Sequence, residues 1–306
     1  MNDQPLPRRL SLGQCASLAC IWEATTAKPG NVHRGADFED LTYLDLVTSA
    51  VAIGPILDAA PAQRLGATLL AGVRATREVV ATNTNLGTLL LLVPLAMVPR
   101  DEPLGSGVGR VLAGLDAEDC RMAYEAIRMA QPGGMNQVDE ADLAGEPPAS
   151  LVAAMQLAAG RDLVARQYTN GFAEVLGVVV PSLERGLAHG WALQDVILHS
   201  FLELLRDYPD SLIARKCGPA VARRASAMAA ATLEGGLPGD EAYDQLLGDM
   251  DFWLRSDSHR RNPGTTADLL AAGLFVALRE GIIRLPVRFY TREQERNDEI
   301  RNSKFE

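Results

Sequence analysis

The run LGTLLLLVPLAMVP, residues 86–99, constrains this chain more than any other stretch. It is the most apolar segment and it carries no charge. A membrane span needs about 20 apolar residues. This run has 14 and contains Pro94, so it reads as a buried core helix that the rest of the chain must cover. The material to cover it is present. Of 306 residues, 47% are hydrophobic but only 5% aromatic, so the core must be mostly Ala, Leu and Val. Ala and Leu lead the helix-propensity scale, and the expected fold class is therefore all-α.

Periodicity supports this. In SLGQCASLACIWEATT, residues 11–26, Leu12, Cys15, Leu18, Ala19 and Trp22 recur at helical spacing. Pro29-Gly30 ends the pattern. Further helices are expected over 41–59, 62–81, 116–130 with Asp116 as N-cap, 149–166, 168–188, 191–206, 210–233, 239–254 and 265–280. DEPLGSGVGR at 101–110 reads as a loop, and QPGGMNQVDEADLAGEPP at 131–148 as a mobile excursion. VVVP at 178–181 and RLPVRFY at 284–290 are candidate short extended pieces. There is no strand-helix alternation and no repeat. The expectation is one compact domain over residues 1–290, of ten to twelve helices, with a charged tail at 291–306.

Charge and cysteines narrow the function. The net charge of -10 argues against nonspecific binding to nucleic acid or an anionic membrane surface. It leaves room for an anionic small molecule held by local Lys and Arg. Cys15, Cys20, Cys120 and Cys217 form no CxxC pair and read as free thiols in a reducing compartment. MNDQPLPRRL lacks the apolar stretch of a signal peptide, so a cytoplasmic location is expected. An Ala-rich helical surface suits pairing, and a homodimer is the guess for assembly.

Four polar islands interrupt the helices, and function belongs there. In EATTAKPGNVHRGADFED, Lys28, Asn31, His33 and Arg34 stand beside Asp37, Glu39 and Asp40. A turn needs Pro29 and Gly30 but not this crowd of charges. Asp37 and Asp40 are candidate Mg²⁺ ligands, and Lys28 and Arg34 candidate phosphate ligands. The second island holds Asn83 and Asn85. The third, YPDSLIARKCG, has Asp210 as an N-cap with Arg215 and Lys216 one turn on. In the fourth, SDSHRRNPGTTADLL, Thr265 or Thr266 caps the last helix, with Thr265 and Asp268 fitting a capping box. Gly264 leaves room for a phosphate at that helix start, flanked by Arg260 and Arg261. Read singly, the last three islands are better explained by helix capping than by ligand binding. No zinc spacing, no GxxxxGK[ST] and no GxSxG elbow occurs.

In order, EATTAKPGNVHRGADFED, TNTNLGT, the NGFAEV…VVP region, PDSLIARKCG and NPGTTADLLAAG resemble the triphosphoribosyl-dephospho-CoA synthase family. The resemblance covers about residues 11–280. It implies an all-helical pentosyltransferase that moves the triphosphoribosyl group of ATP to the 2′-hydroxyl of dephospho-CoA and releases adenine. It also implies Mg²⁺, with ATP and dephospho-CoA as substrates. On that reading Asp37, Glu39 and Asp40 take base or metal roles. Lys28, Asn31, Arg34, Arg215 and Lys216 meet phosphates, and Asn83, Asn85 and the Gly264–Thr265–Thr266 turn position ribose or phosphate. The chain departs from the family at GADFED, where GAHKDM is usual, and at Tyr168-Thr169-Asn170, where an Arg-Gly-Glu triplet is usual. The departures are expected at the substrate site. They leave open a ribosyl transferase with another acceptor, for example in pterin or one-carbon cofactor synthesis, a hydrolase, or a noncatalytic nucleotide-binding protein.

Overall fold

The computed structural model describes residues 9–131 and 148–290. Among them lie α1 (Leu12–Thr25), α2 (Tyr43–Ala52), α3 (Gly54–Ala59), α4 (Leu65–Val79), α5 (Leu86–Met97), α6 (Leu104–Ala113), α7 (Ala117–Ala130), α8 (Leu151–Ala158) and α9 (Leu163–Asn170). A π-helical turn (Val175–Val179) then leads into α10 (Val180–Ala188), α11 (Leu193–Asp207), α12 (Ser211–Cys217), α13 (Pro219–Glu234), α14 (Glu241–Arg255) and α15 (Gly264–Arg279). The fold is all-α. Among the described residues the only β feature is a lone bridge between His33 and Ala36. Most of the 131–148 excursion and the whole 291–306 tail lie outside the described residues.

Two apolar helices form the centre. In α5 every residue from Thr88 to Ala96 is buried, as the sequence requires. In α15 burial is continuous from Leu269 to Arg279, with α1, α5, α9, α10, α11 and α12 packed around it. Pro94 lacks an N–H, so it cannot bond the Leu90 carbonyl four residues back. The Tyr168 hydroxyl donates to that carbonyl at 2.7 Å. Buried Arg279 closes the other end of α5, donating to the Val98 carbonyl at 2.7 Å and the Pro99 carbonyl at 2.9 Å.

The helices are more numerous than ten to twelve because expected long helices are cut. Gly171 and Phe172, both at positive φ, end α9, and Gly218 at φ 93° separates α12 from α13. The expected loop at 101–110 is instead the start of α6. A Cβ on Gly107 would meet Val98 Cγ1 at 2.2 Å, so this glycine serves close helix packing rather than a turn. VVVP is helical too, with the π turn pressed onto α15. RLPVRFY is irregular, and its Arg288 and Phe289 carbonyls accept from Leu193 N and Gln194 N at the start of α11, at 2.9 and 3.0 Å. One described run, Tyr43–Ala62, has the length and apolarity of a membrane span. Gly54-Pro55 breaks it into α2 and α3, which pack on α1 and α4.

Candidate active site

The four islands, scattered over more than two hundred residues of sequence, meet around one cleft of about 750 Å³. Asn31 and Asp40 line it from the first island, Asn83 and Asn85 from the second, Arg215 and Lys216 from the third, and Gly264 and Thr265 from the fourth. Lys28, Arg34, Asp37, Glu39 and Thr266 do not.

Each of these absences has a local cause. Lys28 is fully buried. Its Nζ pairs with Glu23 Oε1 at 2.8 Å, donates to the Thr26 carbonyl at 3.2 Å, and also bonds the Glu23 carbonyl. All three of its protons are therefore spent inside the protein. Arg34 is exposed and donates to the Tyr290 hydroxyl at 3.4 Å. Asp37 caps α2, accepting from Tyr43 N at 2.7 Å. Glu39 is exposed. Thr266 gives its N–H and its hydroxyl, both at 2.8 Å, to the buried Asp210 carboxylate. Asp210 also caps α12 through Ile213 N at 2.9 Å. Burial pushes its pKa up, while these hydrogen bonds pull it down. A carboxylate thus already occupies the positive end of α15 at Thr266. The expected capping box does not form, because Thr265 and Thr266 lie inside the first turn and Asp268 turns elsewhere.

The first island is held from α14. Asp251 Oδ1 accepts from Gly30 N at 2.8 Å. Arg255 pairs with Asp251 at 2.8 Å and donates to the Asn31 carbonyl at 2.5 Å. Gly30 sits at φ 73°, and a Cβ there would meet Leu254 Cβ at 2.7 Å, so glycine is needed on both counts. In the same loop, burial and then Arg255 and Lys28 lower the His33 pKa to about 4, so its imidazole is neutral at pH 7. In the second island Asn85 bonds Thr76 Oγ1 at 3.0 Å, and Asn83 Oδ1 accepts from Leu86 N at 3.2 Å at the start of α5.

The cleft also holds residues absent from the sequence-derived site. Asp268 on α15 and Glu23 on α1 both line it. Thr88 Oγ1 donates to Asp268 Oδ1 at 2.5 Å. The second Asp268 oxygen lies so near α5 that a Cβ on Gly87 would meet it at 2.1 Å. Burial, and to a smaller degree the charge of Glu23, pushes the Asp268 pKa up to about 7. Asp162 also lines the cleft, caps α9 and pairs with Arg215 at 3.3 Å. Arg260 reaches back to the Lys216 carbonyl at 2.9 Å, so three cations gather where α12 meets the turn before α15. The sequence signal for Asp268 was its place in GTTADLL, beside the polar turn. For Glu23 it was the acid that opens EATTAKPG.

Tyr168, Thr169 and Asn170 do not line the cleft. Tyr168 serves the core as described, and Asn170 donates to Glu174 Oε2 at 2.7 Å. That departure from the family pattern therefore lies outside the cleft. Among the described residues, no group of three or more His, Cys, Asp or Glu is placed to hold a metal.

An all-helical fold with one deep cleft, cations on one wall and a carboxyl of raised pKa on its floor is suited to a phosphorylated small molecule. Comparison with known proteins gives that class a family. The CitG family model, ATP:dephospho-CoA triphosphoribosyl transferase, matches residues 9–285. The chain belongs to that family, which makes it a transferase of the pentosyltransferase type. A similar fold occurs in the crystal structure of a candidate triphosphoribosyl-dephospho-CoA synthase from Archaeoglobus fulgidus. The match has a TM-score of 0.59 and 24% identity, covering 76% of this chain and 98% of that one. No curated protein matches the chain.

Proposed function

We propose that the cleft binds ATP and transfers its triphosphoribosyl group to the 2′-hydroxyl of dephospho-CoA, with release of adenine. The observation that carries this is the pairing of Arg215, Lys216 and Arg260 with the Glu23–Asp268 carboxyl pair in one cleft of a family member. The three cations suit a triphosphate. Asp268, titrating near neutrality, suits a general base for the acceptor hydroxyl. Thr88 holds its orientation. Glu23, paired with buried Lys28, lines the same cleft and suits the positive charge that develops on the ribose as adenine departs.

The site fits Mg²⁺ in the mode this ion commonly adopts, one or two carboxylates plus substrate phosphates. Of the cleft carboxylates, Asp162 and Glu23 are engaged with cations and Asp268 with Thr88. Asp40 would hold the metal, which when bound neutralises phosphate charge. Of the two expected metal ligands Asp40 keeps that role and Asp37 does not, and the base role expected of Asp37, Glu39 or Asp40 moves to Asp268.

The test is adenine release from Mg-ATP, with and without dephospho-CoA, by wild type, Asp268→Asn and Asp40→Ala. Release that needs dephospho-CoA and is lost in Asp268→Asn is expected. Release at full rate without an acceptor would replace transfer by hydrolysis. ATP binding with no release would leave a nucleotide-binding protein, or one with another acceptor.

A further inference from the structure

We infer that the turn between α14 and α15 is an adenine-reading element, and that His259 and Asn262 set the purine specificity of the cleft. The inference rests on the nucleotide reading above and goes on to say how the base is recognised.

Most of the turn is tightly bonded. Arg260 N donates to the Asp257 carbonyl at 3.0 Å and Asn262 N to the His259 carbonyl at 3.2 Å. Arg261 Nη1 reaches the Trp253 carbonyl at 2.9 Å. Two side-chain atoms stand apart. His259 Nδ1 and Asn262 Oδ1 are buried and have no hydrogen-bond partner among the described residues, and both residues line the cleft. Buried polar atoms are rarely left so without a reason. The backbone around His259 is also unusual. Ser258 and His259 take φ of 47° and 59°, consecutive left-handed positions that non-glycine residues seldom adopt. Such strain persists where the surrounding structure enforces it, often at binding sites.

Phe38, a cleft residue from the first island, stacks on the His259 ring with centroids 3.9 Å apart and planes at 22°. The turn thus gathers aromatic surface, an amide acceptor and an imidazole nitrogen beside the cleft, and a side-chain rotation would bring the two sealed atoms onto a ligand. A flat heteroaromatic ring bearing an exocyclic N–H and ring nitrogens satisfies all three. Adenine has that pattern. Guanine carries a carbonyl where adenine carries its amine and would set oxygen against Asn262 Oδ1. Arg260 within the turn reaches the Lys216 carbonyl, and this pair of cations suits a ring attached to phosphate.

ATP and dephospho-CoA both carry an adenine, and titration separates them. Wild type, Asn262→Ala and His259→Asn are titrated calorimetrically with Mg-ATP, Mg-GTP, dephospho-CoA and inorganic tripolyphosphate. Asparagine tolerates the left-handed backbone at 259. Wild type is expected to prefer ATP over GTP at least tenfold if the ring is the donor's. Each variant should then lose about tenfold in ATP affinity while binding tripolyphosphate as before. A tenfold loss confined to dephospho-CoA would assign the turn to the acceptor's adenine and equally support the inference. Tripolyphosphate binding with no purine preference, and no loss in either variant for ATP or dephospho-CoA, would overturn it while leaving the phosphate site intact. Failure of every ligand to bind would remove both the inference and the function it rests on.

Discussion

Asp268→Asn should make the protein more stable at alkaline pH while removing activity. The substitution keeps the side-chain shape and an oxygen to accept from Thr88, and it removes the charge. Burial raises the Asp268 pKa from 3.8 to about 7. The folded protein therefore holds a proton that the unfolded chain has released between those values. Stability from this group is fully present below pH 3.8 and is lost as pH rises through about 7. The shift is roughly three units at about 1.4 kcal/mol each, a ceiling of about 4 kcal/mol. Asp268 is only half-buried, and solvent screening reduces the expected figure to about 1–2 kcal/mol. For a chain of this size that is a rise of roughly 2–6 °C in Tm for Asp268→Asn over wild type at pH 8. The two proteins should melt together near pH 4. The measurement is the difference in Tm between variant and wild type across pH, which cancels every other titrating group. A difference that does not change from pH 4 to pH 8 would refute the environment assigned to Asp268. Adenine release should fall at least a hundredfold, within the range of about 10²–10⁴ for a lost general base.

Three further outcomes separate structural from chemical roles. Tyr168→Phe leaves the Leu90 carbonyl without a partner and should cost about 1–3 kcal/mol by urea unfolding, with KM for ATP unchanged. Lys28→Met strips Glu23 of its buried partner and should cost about 3 kcal/mol, seen as a lower denaturation midpoint. A loss of ATP affinity without loss of stability would instead return Lys28 to the phosphate site. Asp37→Ala removes the acceptor for Tyr43 N and should cost about 1 kcal/mol, while kcat for adenine release stays within twofold of wild type.

The helical class was legible because an Ala/Leu/Val core leaves few alternatives, and α5 because its apolar run is unmistakable. Asp116 and Asp210 were legible as caps, since capping is a local affair of one side chain and the next turn. Gly107 was misread because a glycine that allows two helices to touch looks, in sequence, like one that bends a loop. The islands located the cleft, and Asn83, Arg215 and Lys216 came with them. Lys28 and Glu23 were harder to judge. Whether a lysine faces solvent or is sealed under its own loop depends on packing contributed from more distant parts of the chain. Asp268 was hidden by a competent local explanation, the capping box, that tertiary structure set aside in favour of Asp210.

The bonds from α14 to the first loop join Gly30 to Asp251 and Asn31 to Arg255, spans of 221 and 224 residues. They have a consequence for how the protein is made. A growing chain can form α1 to α7 early, but it has no cleft until α14 and α15 have left the ribosome. Until then Glu23 and Lys28 lack the helices that bury them, and the Gly30 turn has nothing to hold it. No ligand of the cleft can assist the folding of a shorter fragment, since the walls come from both ends of the described chain. A stop codon just before Asp251 would remove the central helix α15, and with it both the cleft and the packing of the helices around it.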